Sequence, residues 1–417
     1  MTSNSFNVAF VFALPILLLV AGVWVDPPRT IATGLWCIIT SPSVLLTDYL
    51  EVGGRGATLV NAALCGIVSC LMVLLFRLDF NGPFIAAVYT VIAFAFFGKN
   101  ILNIWPIFAG VALYARFQKV PFKNYALVAL FGTTLAPLVS YIAFGSWMNG
   151  LPGLILAMAA GMLVGFILPP LATHMLQFHA GFNIYNIGFT GGIIGSFFIA
   201  IMRGFHFEVS TILLLSADHD LFFKILLNTF FLCMVAVGLA LGLRQPHQLR
   251  DALKKIHASS GRLVSDFTQI GDYPSTLVNM GVMGLITSVY VVLLGGQFNG
   301  PTIGGILTVV GFGAFGKHAR NSCPVMLGVY LASLVKVWET NATGVVIAGL
   351  FGTTLAPVTG QYGLLAGIAA GFCHLSIVMN VAVLHGGVNL YNNGFSGGFV
   401  ASFLVPILDA FKRDTEE

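Results

Sequence analysis

The sequence predicts an all-α integral membrane protein built as two inverted-topology repeats, with broken or re-entrant helices. Three observations carry that prediction: a composition too apolar for a soluble chain, an internal duplication, and basic clusters spaced so that the two copies face opposite ways.

Hydrophobic residues make up 57% of the 417 positions and charged residues only 8%. A soluble domain carries roughly a quarter charged residues, so this chain cannot cover a water-facing surface. Phe6–Val25, Leu59–Phe76, Leu151–Pro169 and Ile225–Leu243 approach the length of about 20 apolar residues that crosses a bilayer. Met1–Val25 lacks a basic leader and a small-x-small cleavage site, so a retained span is expected rather than a signal peptide. The net charge of +4 sits in short clusters between apolar runs, which marks topology and not a nucleic-acid partner. The six cysteines form no CxxC pair, so no metal, cofactor or disulfide framework is expected.

The duplication is written in doubled words. FNGP occurs at Phe80–Pro83 and Phe298–Pro301, and TLVN at Thr58–Asn61 and Thr276–Asn279, both at an offset of 218. Asp48 and Asp266, and GKNILNIWP (Gly98–Pro106) and GKHARNSCP (Gly316–Pro324), keep that offset. LFGTTLAP recurs unchanged at Leu130–Pro137 and Leu350–Pro357, offset 220. HAGFNIYNIGFTGG (His179–Gly192) returns as HGGVNLYNNGFSGG (His385–Gly398), offset 206. The drop in offset marks a deletion of about a dozen residues after Pro357, where the first half has YIAFGSWMNG. The repeats are therefore 1–215 and 216–417.

Charge sets the orientation. Arg116, Lys119 and Lys123 form one basic cluster, and the polar, helix-compatible stretch 244–262 another, read as a cytoplasmic amphipathic linker. With Arg116–Lys123 inside, Tyr125–Phe144 runs outward, Leu151–Thr173 returns, Gly188–Met202 leaves, and Phe222–Leu243 returns to the linker. Continuing the count puts Lys412, Arg413 and both termini inside, with nominally seven membrane elements per half. Odd repeats lie antiparallel, the inverted-repeat architecture of many transporters.

Several segments are too polar or broken for simple spans. Irregular backbone at membrane depth is tolerated only where it is buried in protein or lines a watery cavity, and paired interruptions in two halves point to a midplane site. The candidate pathway is therefore Asn81, Lys99, Asn103, Thr133, Thr134, His179, Asn183, Tyr185 and Asn186, with their mates Asn299, Lys317, Asn321, Thr353, Thr354, His385, Asn389, Tyr391 and Asn392. Asn81, Thr133, Asn186 and their mates are expected to approach the pseudo-twofold axis. Lys99 and Lys317 either make the pathway electropositive and attract an anion, or snorkel to an interface, or pair with Asp48 and Asp266, which could instead cap helices. His179 and His385 are either a proton relay or substrate ligand, or histidines held on backbone.

The doubled LFGTTLAP and YNxGF[TS]GG resemble a group of bacterial membrane proteins catalogued as a domain of unknown function, over the whole chain. Over about 43–140 and 261–360, each half is also similar to urea transporters. The shared order is a re-entrant segment (SPSVLLTDYLEVGG; SSGRLVSDFTQIGD), an aromatic-Asn-Gly turn and a Thr-Thr-Leu-Ala-Pro break. Leu138 and Val358 stand where that break carries an aromatic. The resemblance implies a urea-transporter-like fold with a pore at the pseudo-axis, a bacterial inner membrane location, and a homo-oligomer, a trimer by likeness or a dimer.

Three function classes follow. A transporter or channel for a small polar solute or anion fits the paired interruptions. A membrane-embedded enzyme using the paired histidines lacks HExxH or GxSxG spacing, and no enzymatic activity is expected. A structural or sensory module would have almost no soluble portion to signal with. GxxxxGK[ST] is also missing, which argues against direct ATP drive.

Overall fold

The computed structural model describes residues 3–145, 150–207 and 213–413. Ser146–Asn149 of the YIAFGSWMNG stretch and the side chains of Lys412 and Arg413 lie outside the described set. The first half holds α1 (Ser3–Val25), α2 (Pro28–Thr40), α3 (Tyr49–Leu75), α4 (Gly82–Phe94) and α5 (Trp105–Phe117). It continues with α6 (Ala126–Gly132), α7 (Ala136–Phe144), α8 (Leu151–Phe178) and α9 (Asn186–Gly204). The second half holds α10 (Asp220–Gly242), α11 (Pro246–Ala258), α12 (Phe267–Ile270), α13 (Tyr273–Leu293) and α14 (Gly300–Phe312). It closes with α15 (Ala319–Val335), α16 (Thr343–Gly352), α17 (Ala356–Tyr362), α18 (Leu364–Val381) and α19 (Asn392–Arg413). Among the described residues there is no β-strand, only three isolated bridges.

Among the described residues, ten helical stretches are long and apolar enough to cross a membrane, five in each half. The short apolar α4 and α14 lie among them, so the chain is a multi-pass all-helical membrane protein. The spans are longer than hydropathy alone suggests. The one expected at Leu59–Phe76 starts after a kink at Gly54 (φ 78), with a short helical segment from Tyr49 before it, and the one expected to end at Pro169 runs to Phe178, through Pro169 and Pro170. Pro169 and Pro170 have no N–H to give the Gly165 and Phe166 carbonyls, an interruption that membrane helices tolerate.

Residues 244–262 do contain an amphipathic helix. α11 buries Leu249, Ala252 and Ile256 and exposes Arg250, Lys254 and Lys255. Its counterpart at offset 218 is α2, which buries Ile31, Gly34 and Ile38 and leaves Trp36 67% exposed. The sequence reading missed α2 as a surface helix because its outer face is apolar and carries one basic residue, Arg29.

α4 and α14 pack side by side and run antiparallel. A side chain on Gly82, at the start of α4, would meet Ala314 just past the end of α14. One on Gly300, at the start of α14, would meet Phe96 just past the end of α4. Midway, Gly311 faces Ala86 and Tyr89, and Gly304 faces Ala93 and Phe97. Each N-terminus is closed by the other half's aspartate: the Gly82 N–H donates to Asp266 at 3.0 Å and the Gly300 N–H to Asp48 at 3.0 Å. Asp48 also accepts from Leu50 and Ser216, and Asp266 from Thr268. The aspartates thus cap helices and stitch the halves together. They are not the lysines' partners, so the pairing of Asp48 and Asp266 with Lys99 and Lys317 is corrected: backbone N–H groups at four helix starts already occupy the carboxylates.

Candidate functional site

Each LFGTTLAP stretch is helical on both sides of a one-turn 3-10 break, at Thr133–Leu135 and Thr353–Leu355. The other half reads that break. Thr134 Oγ1 donates to Asn389 Oδ1 at 2.9 Å and accepts from the Tyr391 N–H at 3.0 Å, while the Leu390 N–H donates to the Thr134 carbonyl at 3.1 Å. Reciprocally, Thr354 Oγ1 donates to Asn183 Oδ1 at 2.5 Å and accepts from the Tyr185 N–H at 3.0 Å, while the Ile184 N–H donates to the Thr354 carbonyl at 3.1 Å. The two asparagine amides finish the clasp on Gly394 and Gly188 carbonyls at 2.9 and 3.0 Å. All four side chains are fully buried. Irregular backbone at depth is therefore satisfied by the opposite half, as a low-dielectric site demands.

This clasp brings Tyr185 and Tyr391 together, ring centroids 4.7 Å apart. Phe312 packs on Tyr185 at 4.8 Å and Phe94 on Tyr391 at 4.6 Å. The row of four rings ends in two ammonium groups. Lys317 Nζ lies 4.4 Å from the Tyr185 centroid and 5.2 Å from that of Phe312; Lys99 Nζ lies 5.0 Å from that of Phe94. Both lysines are fully buried, so neither snorkels to solvent. Among the described residues the side-chain ion pairs are Lys224–Asp220 and Lys254–Asp251, and neither involves these lysines. Lys317 Nζ donates to Tyr185 OH and, at 2.6 Å, to Thr353 Oγ1. Lys99 Nζ has no hydrogen-bond partner.

The loops that carry the lysines are built alike. Gly98 and Gly316 both sit at φ 91, open to glycine and strained for other residues. Asn103 and Asn321 donate to the Gly98 and Gly316 carbonyls at 2.9 and 2.8 Å. Asn61 donates to the Ala95 and Lys99 carbonyls at 2.8 and 2.9 Å, and Asn279 to those of Gly313 and Lys317 at 2.7 and 2.8 Å. Asn61 and Asn279 were not among the expected site residues, although the doubled TLVN contains them. Phe94, Phe312 and Thr90, which accepts from Tyr391 OH at 3.1 Å, were also missed, because nothing in an apolar run distinguishes a ring at the centre from one in the core.

Not all expected residues converge. Asn81 and Asn299 cap α4 and α14. Since those helices are antiparallel, the two asparagines stand at opposite ends of the pair, separated by about 20 Å at 1.5 Å per helical residue, and do not meet at an axis. Thr133 and Thr353 donate to the Leu130 and Leu350 carbonyls at 2.7 and 2.5 Å within their own breaks. His179 and His385 bond Asn186 and Asn392 at 3.0 and 2.9 Å, and those asparagines donate onward to the Ala172 and Val378 carbonyls at 3.0 and 3.1 Å. These four residues fasten the turns α8–α9 and α18–α19, whereas Lys317 bonds Tyr185 and Thr353 and Lys99 has no hydrogen-bond partner.

A cavity of about 240 Å³ reaches the tyrosine pair from one side. Tyr185, Tyr391 and Phe312 form its floor, and Leu263 and Val264 part of its rim. No curated protein and no solved structure matches the chain. The family described as "Protein of unknown function (DUF1576)" matches residues 27–204 and 245–410, one stretch in each half. With most of its length matched, the chain belongs to that family.

Proposed function

We propose that the protein is a membrane transporter or channel that moves a small polar solute along a pathway at the pseudo-twofold interface of two inverted repeats. The observation that carries this reading is the reciprocal clasp: Thr134 on Asn389 and Thr354 on Asn183, closing around Tyr185, Tyr391 and two buried lysines. Ionisable groups deep in a membrane bundle are rare and costly, and mark solute or ion paths. Inversion is supported by the antiparallel pairing of α4 with its own duplicate α14. It is supported again by charge, since α11 exposes Arg250, Lys254 and Lys255 where α2 has Arg29 alone. That is the bias expected if α11 lies on the cytoplasmic side and α2 on the opposite one. The proposed setting is a cytoplasmic membrane, with both termini inside.

The test is stopped-flow light scattering on proteoliposomes challenged with urea, glycerol, formate, nitrate and thiocyanate. At least one solute should equilibrate about tenfold faster than in empty vesicles, a margin worth roughly 1.4 kcal/mol of barrier. Vesicles no more permeable than empty ones to the whole panel overturn the reading.

A further inference from the structure

Two helices that the duplication makes equivalent, α2 and α11, differ along one stripe of side chains. At offset 218, Pro28, Ile31, Ala32, Leu35, Trp36 and Ile39 of α2 stand where α11 has Pro246, Leu249, Arg250, Leu253, Lys254 and His257. Burial agrees at all six pairs: the first, third and fifth are exposed, the second is buried, and the fourth and sixth are half-buried. The two helices therefore sit on the protein in one register. Three pairs keep their apolar character, while Ala, Trp and Ile become Arg, Lys and His. Since α2 packs in that register without them, α11 does not need its basic groups in order to pack.

The six residues of α11 line a shallow groove of about 400 Å³ along one flank of the helix. Their spacing of i, i+3, i+4, i+7, i+8 and i+11 is that of a single helical stripe. Pro246, Leu249 and Leu253 give the groove apolar surface, and Arg250 and Lys254 give it two exposed cations. Lys254 reaches Asp251 at 3.6 Å, but the two side chains are 63% and 66% exposed, and so wet an ion pair holds little. Arg250 has no ion-pair partner among the described residues. Lys255 is exposed as well, but lies outside the groove.

The groove begins where a membrane span ends. The 23 residues of α10 are about 34 Å long at 1.5 Å each, enough to carry its end past roughly 30 Å of hydrocarbon to the headgroups. Gly242, its last residue, packs on the groove: a side chain there would meet that of Leu249 at 2.7 Å. Leu221, Ile225, Leu232, Leu239 and Leu243 form an outward apolar stripe along the whole of α10, closing three residues before Pro246. Between Arg244 and Arg262 there are five Lys or Arg and one acid, Asp251. Basic clusters on an amphipathic helix just beyond a span attract anionic headgroups. The apolar part of the groove offers a free anion nothing, whereas a phospholipid uses both parts.

We propose that the corner between α10 and α11 binds an anionic phospholipid of the leaflet that α11 borders. Arg250 and Lys254 hold the phosphate, and Pro246, Leu249, Leu253 and the end of α10 hold the beginning of the acyl chains.

Native mass spectrometry of the purified full chain tests this, with equal amounts of dioleoylphosphatidylglycerol and dioleoylphosphatidylcholine as probes. The anionic lipid should be retained at least about fivefold more than the zwitterionic one, the effect of one basic residue at an anionic surface. Arg250→Gln and Lys254→Gln should each lower its retention about fivefold, and the double variant should bring it to the phosphatidylcholine level. Lys255→Gln removes the same charge outside the groove and should change nothing. The variants should stay monodisperse, because α2 carries uncharged Ala32 and Trp36 at the two positions. Equal retention of the two lipids overturns the site, as does a preference that survives the double variant. An equal loss with Lys255→Gln also overturns it, by reducing the effect to net charge.

Discussion

The Thr134 hydroxyl donates to the Asn389 side-chain oxygen at 2.9 Å across 255 positions of sequence. It is half of a reciprocal pair whose other member, Thr354 to Asn183, spans 171 positions at 2.5 Å. Each asparagine also holds a backbone carbonyl of the opposite half, so the helix breaks and the glycine-rich turns are a single buried network. Asn389→Ala strands the Gly188 carbonyl and the Thr134 hydroxyl, and should destabilise the protein by about 1–3 kcal/mol. Thermal unfolding in detergent measures this. Thr134→Val with Asn389→Leu should cost less than the sum of the single changes, with a coupling of about 0.5–3 kcal/mol. Strict additivity would refute the network.

The lysines should respond differently to the same substitution. Lys99→Met removes a buried group with no hydrogen-bond partner and should raise stability by about 1–4 kcal/mol, because the desolvation penalty disappears and only the contact with the Phe94 ring is given up. Lys317→Met also removes the bonds to Tyr185 and Thr353, so its gain should be smaller or negative. Differential scanning of the two variants in one detergent checks the order.

Asp48 and Asp266 invite a second comparison. Asp48, fully buried, accepts backbone N–H groups of Leu50, Ser216 and Gly300, whereas the half-buried Asp266 accepts those of Gly82 and Thr268 and the Thr268 hydroxyl. Alanine at either leaves donors unsatisfied, at about 1–3 kcal/mol for each buried group. Asp48→Ala should therefore be the more damaging, read as the larger drop in midpoint temperature.

Topology is testable without knowing the solute. A cysteine at Lys254, on the exposed face of α11, and one at Thr33, on α2, should react with a membrane-impermeant thiol reagent from opposite sides of the bilayer. Labelling of both from the same side would refute inverted repeats.

Hydropathy and the doubled words by themselves determined the membrane class, the duplication and most of the stretches that matter. A bilayer demands long apolar runs with their polar groups internally satisfied, and departures from that rule are visible locally. They could not show which departures meet. Asn81 and Asn299 look as central as Thr134 and Asn389 in the sequence, yet antiparallel packing of α4 and α14 sends the first pair to opposite ends, while the clasp draws the second together. Asp48 and Asp266 read in the sequence either as counter-charges for the lysines or as helix caps, and the fold decides for caps by supplying backbone donors from both halves. The difference between Lys99 and Lys317 was equally beyond reach, since identical motifs carry no sign of which copy will be engaged. Contacts across 132 to 301 positions, such as Lys317 on Tyr185 and Tyr391 on Thr90, are chosen by the packing of whole helices, and only the assembled tertiary structure decides them.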